Sequence, residues 1–505
     1  MTEAPVAARP VEAAPETLQS LNPATGELVA EFPIDDATAV ATAVGRARAA
    51  LPTWRDLGFD GRRKALLRWA SQLINNADEL SDLVHRENGK PAEDAFLELM
   101  LTLEHIDWAA KNAKKVLSPQ KVKPGLFMAN HEAVIERRAY GVVGVIGPWN
   151  YPLYTPNGSI AYALAAGNTV VFKPSEYTVA IGRYYVEAFA KANPELPAGV
   201  LSVVFGYGET GAALVKSEID KIAFTGSTPT GKRIMAAAAE RMTPLVLECG
   251  GKDAAIVAAD ADVDAAAEAI AWSAIQNSGQ TCVGTERVYV EEAVYDTFLT
   301  AIRAKLVGVA PGSHDSASYG PMTMPAQVDV VRKHIEDALS RGGRALLGST
   351  ESVRAPFIDP VVLVDTPEDS LAVTEETFGP TVTVRAVKSI DEAVELTNAS
   401  EFGLASMVFS KSSGMAIARR LRAGATSVNA PLSFAAISAL PFGGVGASGF
   451  GRIHGADGLR EFAYPHAIAR QRYAIPGMAL LTFGRKSSTV AMIKKVITFR
   501  HGRHS

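Results

Sequence analysis

Two cysteines occur in 505 residues, and each stands where a thiol has company that matters chemically. Cys249 sits in Glu248-Cys249-Gly250, beside a carboxylate that could activate water, and Cys282 ends the run Asn277-Ser278-Gly279-Gln280-Thr281-Cys282, whose small residues allow a close approach to the sulfur. A thiol nucleophile together with a basic carboxylate suggests covalent chemistry on a carbonyl. Asn150, in Gly147-Pro148-Trp149-Asn150-Tyr151-Pro152, offers an amide from a stiff turn. Such an amide can donate to a developing oxyanion or stabilise its own turn. Glu375-Glu376-Thr377-Phe378-Gly379-Pro380 puts carboxylates beside an aromatic ring and a Gly-Pro turn, a group that by itself also reads as a loop.

Two further groups fit a nucleotide. Phe224-Thr225-Gly226-Ser227-Thr228-Pro229-Thr230-Gly231 follows an apolar run and opens a helical one, so its glycines and the unpaired N–H groups of the helix start could meet a diphosphate; an ordinary capped turn is the alternative. In Lys173-Pro174-Ser175-Glu176 a lysine and a carboxylate three residues apart could hold the two hydroxyls of a ribose, or form a solvated loop pair.

The elements that must position these groups alternate between strand and helix. Tyr140–Ile146, Thr169–Phe172, Leu201–Phe205, Lys221–Phe224 and Leu245–Glu248 read as buried strands, with Val179–Ala192 and Thr228–Ala239 as helices between them. Alternation of this kind predicts an α/β protein with a largely parallel sheet covered on both faces. It resumes after Gly251 with a strand at Ala254–Val257, a helix at Val263–Gln276, a strand at Val283–Val290 and helices at Ala293–Leu306 and Gln327–Arg341, which predicts a second α/β domain. Ligands of such sheets lie beyond the carboxyl ends of the strands, where the polar groups above fall.

Composition narrows the classes. The chain is 48% hydrophobic and 21% charged, as a folded enzyme-sized protein is, and its net charge of −4 supplies no field for nucleic acid. Two cysteines without a CxxC pair, and nine histidines without ligand spacing, exclude a disulfide framework and give no sign of a metal site. A reducing, cytoplasmic setting is expected. Residues 1–17, rich in Ala and Pro, lack the apolar stretch of a signal peptide and read as a disordered leader.

Taken together, the motifs resemble those of the aldehyde dehydrogenase superfamily, in the family's order and over Asn22–Tyr464. The matching stretches are Pro148-Trp149-Asn150-Tyr151-Pro152, Lys173-Pro174-Ser175-Glu176, Phe224-Thr225-Gly226-Ser227, Leu247-Glu248-Cys249-Gly250-Gly251-Lys252, Gly279-Gln280-Thr281-Cys282, Glu376-Thr377-Phe378-Gly379-Pro380 and Leu440-Pro441-Phe442-Gly443-Gly444-Val445-Gly446-Ala447-Ser448-Gly449. The resemblance implies that Cys282 attacks the aldehyde as thiolate, that Asn150 and the Cys282 backbone N–H hold the oxyanion, and that Glu248 activates the water that hydrolyses the thioester. It further implies a cofactor site made by Pro148, Trp149, Lys173, Ser175, Glu176, Gly208, Gly211, Phe224, Gly226, Ser227, Glu376 and Phe378. Within it Lys173 and Glu176 meet the adenine ribose, Ser227 the diphosphate, Glu376 the nicotinamide ribose and Phe378 the nicotinamide ring. Glu176 favours NAD over NADP, although relatives with this pair accept both.

The implied organisation is a Rossmann-like cofactor domain at 18–250, interrupted by an oligomerisation arm at 121–138, and a catalytic domain at 251–445. Residues 446–505 return to the cofactor domain and carry an oligomerisation element and a basic tail. A homodimer or homotetramer is expected. Cys249, where many relatives have Leu, reads as a small buried hydrophobe. Gly449-Phe450-Gly451-Arg452-Ile453-His454-Gly455 resembles the fatty and aromatic aldehyde branch, and the expected entrance loop Ala430–Leu440 contains no Arg or Lys, which points to an apolar aldehyde. Succinic semialdehyde dehydrogenase, and a non-catalytic cofactor-binding scaffold, stand as the alternatives. From Phe462 to Ser505 there are eight Lys or Arg and no acid, with Val490, Ile493, Val496, Ile497 and Arg500 at helical spacing. Such a segment can lie on an anionic membrane or pack on protein.

Overall fold

The computed structural model describes residues 17–314, 316–475 and 482–502. Almost all of the expected leader therefore lies outside the described residues; Thr17 itself opens a strand, Thr17–Leu21, paired with Leu28–Pro33.

Short Val- and Ile-rich runs buried on both faces build the first sheet, the signature of parallel pairing under helices. Its order is Leu201–Val203, Thr169–Lys173, Val142–Ile146, Lys221–Gly226, Leu245–Cys249 and Gly449–Phe450. All neighbours are parallel except Gly449–Phe450, which runs antiparallel to Leu245–Cys249. The strand met first, Val142–Ile146, is central: the chain adds two strands on one side and then crosses to the other. That reversal opens a crevice between the carboxyl ends of Val142–Ile146 and Lys221–Gly226. Crossover helices Tyr154–Ala166, Val179–Ala192, Gly208–Lys216 and Thr228–Ala239 cover the sheet. Two of them match the sequence reading residue for residue, whereas strand Lys221–Gly226 runs two residues further than expected and takes in Thr225 and Gly226.

A second sheet of seven strands has the order Arg344–Leu347, Val361–Val364, Thr381–Val387, Thr285–Glu291, Asp253–Val257, Ala405–Phe409 and Ala425–Val428. Its helices Val263–Ile275 and Tyr295–Leu306 pack Ile270, Phe298 and Ile302 onto Val288, Val290 and Val384. The boundary read near Gly251 falls between the two sheets, and both sheets belong to one compact unit, up to Val116 and over Ala139–Phe462. Four helices precede them, Ala37–Asp56, Gly58–Ile74, Ala77–Asn88 and Ala92–Leu117.

Leu117–Arg138 and the chain from Ala463 form a separate unit. It holds a three-stranded sheet with His131–Ala139 between Gln120–Val122 and Ala463–Gln471, and a helix, Ser487–His501. Among the described residues no helix is long and apolar enough to cross a membrane.

Candidate active site

Every residue singled out from the sequence lines a single cavity of about 1000 Å³: the chemical trio Asn150, Glu248 and Cys282, and the twelve proposed for a nucleotide. They converge because each lies at or just beyond the carboxyl end of a strand of the first sheet, or on a loop beside it.

Cys282 sits at the end of a strained approach. Asn277, Ser278 and Gly279 take φ values of 53°, 59° and 69°, the left-handed region that L side chains avoid. The strain is held by hydrogen bonds: Ser278 Oγ donates to Gly320 O at 2.6 Å, and Gln280 Oε1 accepts from Thr323 N–H at 2.8 Å. Gly279 has no room for a side chain, since a Cβ there would lie 2.0 Å from Gly379 O. Cys282 as a residue is half-buried, and desolvation of its sulfur, then the carboxylates of Asp253, Glu376 and Glu248, push the thiol's pKa up.

Asn150 is buried and its Nδ2 donates to Gln280 O at 2.9 Å, which ties it to the cysteine loop. An amide nitrogen carries two N–H donors, so one remains for a substrate oxygen. Its backbone is fixed as tightly: Asn150 O accepts from Lys90 Nζ and from Asn277 Nδ2, both at 3.0 Å.

Glu248 lies on the edge strand of the parallel array, buried, with neither carboxylate oxygen hydrogen-bonded among the described residues. A side-chain carbon on Gly443 would come within 2.8 Å of its Oε1, so the glycine gives it space. Burial raises its pKa well above the ordinary carboxylate range, Arg452 opposing. Cys249 packs in the core of the first sheet with Phe224 and Leu247, and burial lifts its thiol to about 11, as expected for a small hydrophobe.

At the nucleotide end, Ser227 precedes helix Thr228–Ala239 without capping it; its hydroxyl donates instead to Thr230 Oγ1 at 3.1 Å, and the first-turn N–H groups lack a side-chain acceptor. Lys173 is buried and bonds Pro174 O at 3.0 Å, while Ser175 Oγ donates to Glu176 at 3.3 Å. Gly208 is open, with nothing within 4 Å of an added Cβ. Glu376 Oε1 accepts from Gly251 N–H at 3.1 Å, and a Cβ on Gly250 would collide with it at 2.0 Å. Phe378 stands edge-on to Trp149, ring centres 5.5 Å apart. These features fit a dinucleotide: uncapped helix N–H groups for the diphosphate, carboxylates for ribose hydroxyls, and an aromatic wall.

Two buried ion pairs escaped the sequence reading. Lys252 pairs with Glu286, whose carboxylate accepts from Thr377 N–H at 2.8 Å and Phe378 N–H at 3.0 Å and so shapes the Glu376 loop. Lys90 pairs with Glu98 below the Asn150 loop. A lysine or a glutamate read singly looks like a surface residue in sequence, so only the fold reveals these pairs.

The remaining wall is apolar, built from Leu97, Met100, Leu101, Tyr154, Trp272 and Phe442, with Pro431, Leu432, Ala435 and Ala436 of the expected entrance loop. Leu97, Met100 and Trp272 are also exposed, at the cavity's solvent edge.

A model described as Aldehyde dehydrogenase family matches residues 11–468. The chain is 37% identical over 465 residues to the 4,4'-diapolycopene aldehyde oxidase of Methylomonas sp, covering 91% of this chain and 87% of that protein. It is 36% identical over 454 residues to the glutarate-semialdehyde dehydrogenase of Pseudomonas putida, covering 88% and 93%. Among solved structures, an NAD-dependent aldehyde dehydrogenase from Sinorhizobium meliloti superposes with a TM-score of 0.87 at 31% identity, over 92% of this chain and 93% of that one. An NADP dependent enzyme from E. coli superposes with a TM-score of 0.86 at 31% identity, over 90% and 95%.

Proposed function

As the chain belongs to the aldehyde dehydrogenase family and is an oxidoreductase acting on aldehydes, we infer that its preferred substrates are apolar aldehydes and its preferred cofactor is NAD. The carrying observation is the substrate wall. Among the described residues, the cations lining the cavity are Lys90, Lys173 and Arg233. Lys90 is taken by Glu98, Lys173 stands beside Glu176, and Arg233 belongs to the helix after Ser227. A second carboxylate on the substrate would find Asp94 on the same wall and no available cation, which disfavours succinic semialdehyde.

In this reading Cys282 Sγ adds to the aldehyde carbon while the second Nδ2 hydrogen of Asn150 and the Cys282 N–H donate to the oxygen. The nicotinamide, when bound, supplies the hydride acceptor. Glu248 takes a proton from the water that releases the acyl group from Sγ, and the product leaves as a carboxylic acid. Lys173 and Glu176 hold the adenine ribose, the start of helix Thr228–Ala239 the diphosphate, Glu376 the second ribose, and Trp149 and Phe378 flank the ring. The Glu176 carboxylate opposes a 2′-phosphate, which supports NAD.

NADH formation across a panel of aldehydes tests the substrate assignment. Burial of each added methylene contributes about 0.8 kcal/mol, so kcat/KM should rise about fourfold per CH₂ along straight-chain aldehydes until the wall is filled. Succinic semialdehyde outperforming hexanal would overturn it.

The two free thiols fit a cytoplasmic setting, and the separate three-stranded unit suits self-association as a homodimer or homotetramer. The helix Ser487–His501 suits the surface of an anionic bilayer: at about 100° per residue, Val490, Met492, Ile493, Val496 and Ile497 fall on one half of its circumference and Lys494 and Lys495 on the other.

A further inference from the structure

The loop that carries Asn150 is held from beneath by residues of the N-terminal helices. Asn88 Nδ2, at the end of helix Ala77–Asn88, donates to Trp149 O at 2.8 Å. Lys90 Nζ donates to Asn150 O at 3.0 Å and lies 4.2 Å from the centre of the Tyr151 ring. Glu98, on helix Ala92–Leu117, accepts at Oε1 from Leu153 N–H at 2.7 Å and Tyr154 N–H at 3.0 Å. The two charges meet at 2.5 Å with both side chains 1% exposed. Four hydrogen bonds thus run from one ion pair and its neighbour to the backbone between Trp149 and Tyr154.

A buried ion pair adds little net stability, because the cost of removing both ions from water nearly offsets their attraction. Its contribution here is direction. Lys90 fixes the carbonyl of the residue whose amide faces the substrate, and Glu98 fixes the start of the following helix, so the backbone from which the amide projects is held in place. Asn277, from the cysteine loop, converges on that same carbonyl. Amide and thiol loop are referenced to one atom.

We propose that Lys90 and Glu98 are positioning residues that hold the Asn150 amide in register with Cys282. The inference rests on the oxyanion role assigned to Asn150 above, and the experiment separates the two.

Full-length Asn150→Ala, Glu98→Gln, Lys90→Met and Lys90→Met/Asn150→Ala are compared for kcat, KM for the aldehyde and NADH affinity by fluorescence. Glu98→Gln and Lys90→Met should lower kcat by about 10- to 100-fold, with NADH affinity within about twofold of wild type, because the lost interaction acts on the transition state and lies away from the nucleotide. In the Asn150→Ala background Lys90→Met should cost less than about threefold more, since a positioning residue has nothing left to position. A purely structural role would give the full loss again in that background. Wild-type kcat in both single variants, or the full further loss in the double variant, overturns the proposal while leaving the Asn150 role standing. Unchanged kcat in Asn150→Ala overturns the underlying role instead. Where Lys90→Met leaves Glu98 buried and unpaired and the chain does not fold, Lys90→Arg replaces it. This variant keeps the charge but presents a planar fork in place of a compact ammonium, and wild-type kcat in it counts against the proposal.

Discussion

Glu248 brings two carboxylate oxygens into the fold without a hydrogen-bond donor for either among the described residues, which leaves both free to meet water in the role proposed for it. Burial holds its pKa well above the ordinary carboxylate range, with Arg452 opposing. Glu248→Gln keeps the shape and removes the basicity, and steady-state turnover should fall by about two to four orders of magnitude. Turnover equal to wild type would place the base elsewhere. Glu376 adds a second titration, with burial and Glu286 raising it to about 8. A folded-state pKa above the unfolded value means the folded chain binds the proton more tightly, so this carboxyl's contribution to stability is present below its unfolded pKa and fades as pH rises through about 8. Cofactor binding should run the other way, since only the ionised carboxylate accepts hydrogen bonds at both oxygens. NADH affinity measured by fluorescence should strengthen as pH rises through about 8, and Glu376→Gln should flatten the dependence. A flat profile in the unsubstituted protein would refute the assignment.

At the scale of elements, chemistry is set by where strands end and how loops turn. Much of this was legible in sequence. Val179–Ala192 and Thr228–Ala239 announce themselves by helical composition between punctuating turns, and the parallel strands by unbroken apolar runs. Strands Val361–Val364 and Ala405–Phe409 are as apolar and are bounded by turn residues such as Asp359-Pro360 and Gly403, yet they lie beyond the stretch read as alternating strands and helices, and the four N-terminal helices lie before the first motif that draws the eye. The site residues in loops were legible because their types are chemical. The ion pairs that hold those loops were not, because burial, which makes Lys90 and Lys252 informative, is a property of the fold. Gly279 shows the difference between an element and its label: its φ of 69° and the 2.0 Å approach to Gly379 O leave no place for a methyl group. Gly279→Ala should reduce kcat by more than about tenfold by displacing Cys282, with a melting temperature lowered by a few degrees at most, because the strain is local. An Ala variant that retains wild-type kcat would show that the cysteine loop tolerates displacement.

At the scale of the whole molecule, the tail is unlike the rest of the chain in charge. The protein carries a net charge of −4, yet from Phe462 onward it has eight basic residues and no acid. Helix Ser487–His501 leaves Val490, Met492 and Ile497 at 46%, 46% and 43% exposure, more apolar surface than a solvated helix needs. On anionic vesicles Arg485, Lys486, Lys494 and Lys495 should each contribute about 1 kcal/mol, an attraction that weakens as salt shortens the screening length. Full-length protein should therefore sediment with vesicles containing phosphatidylserine at low salt, less so at high salt, and not with neutral vesicles, while protein truncated before Arg485 should stay in the supernatant throughout. Truncation should leave kcat with a soluble aldehyde unchanged, because every residue assigned to the chemistry lies before Phe462. Full-length protein that fails to sediment at low salt refutes lipid contact, and a truncated chain of altered mass in solution would assign the apolar face of the tail helix to a second copy of the protein.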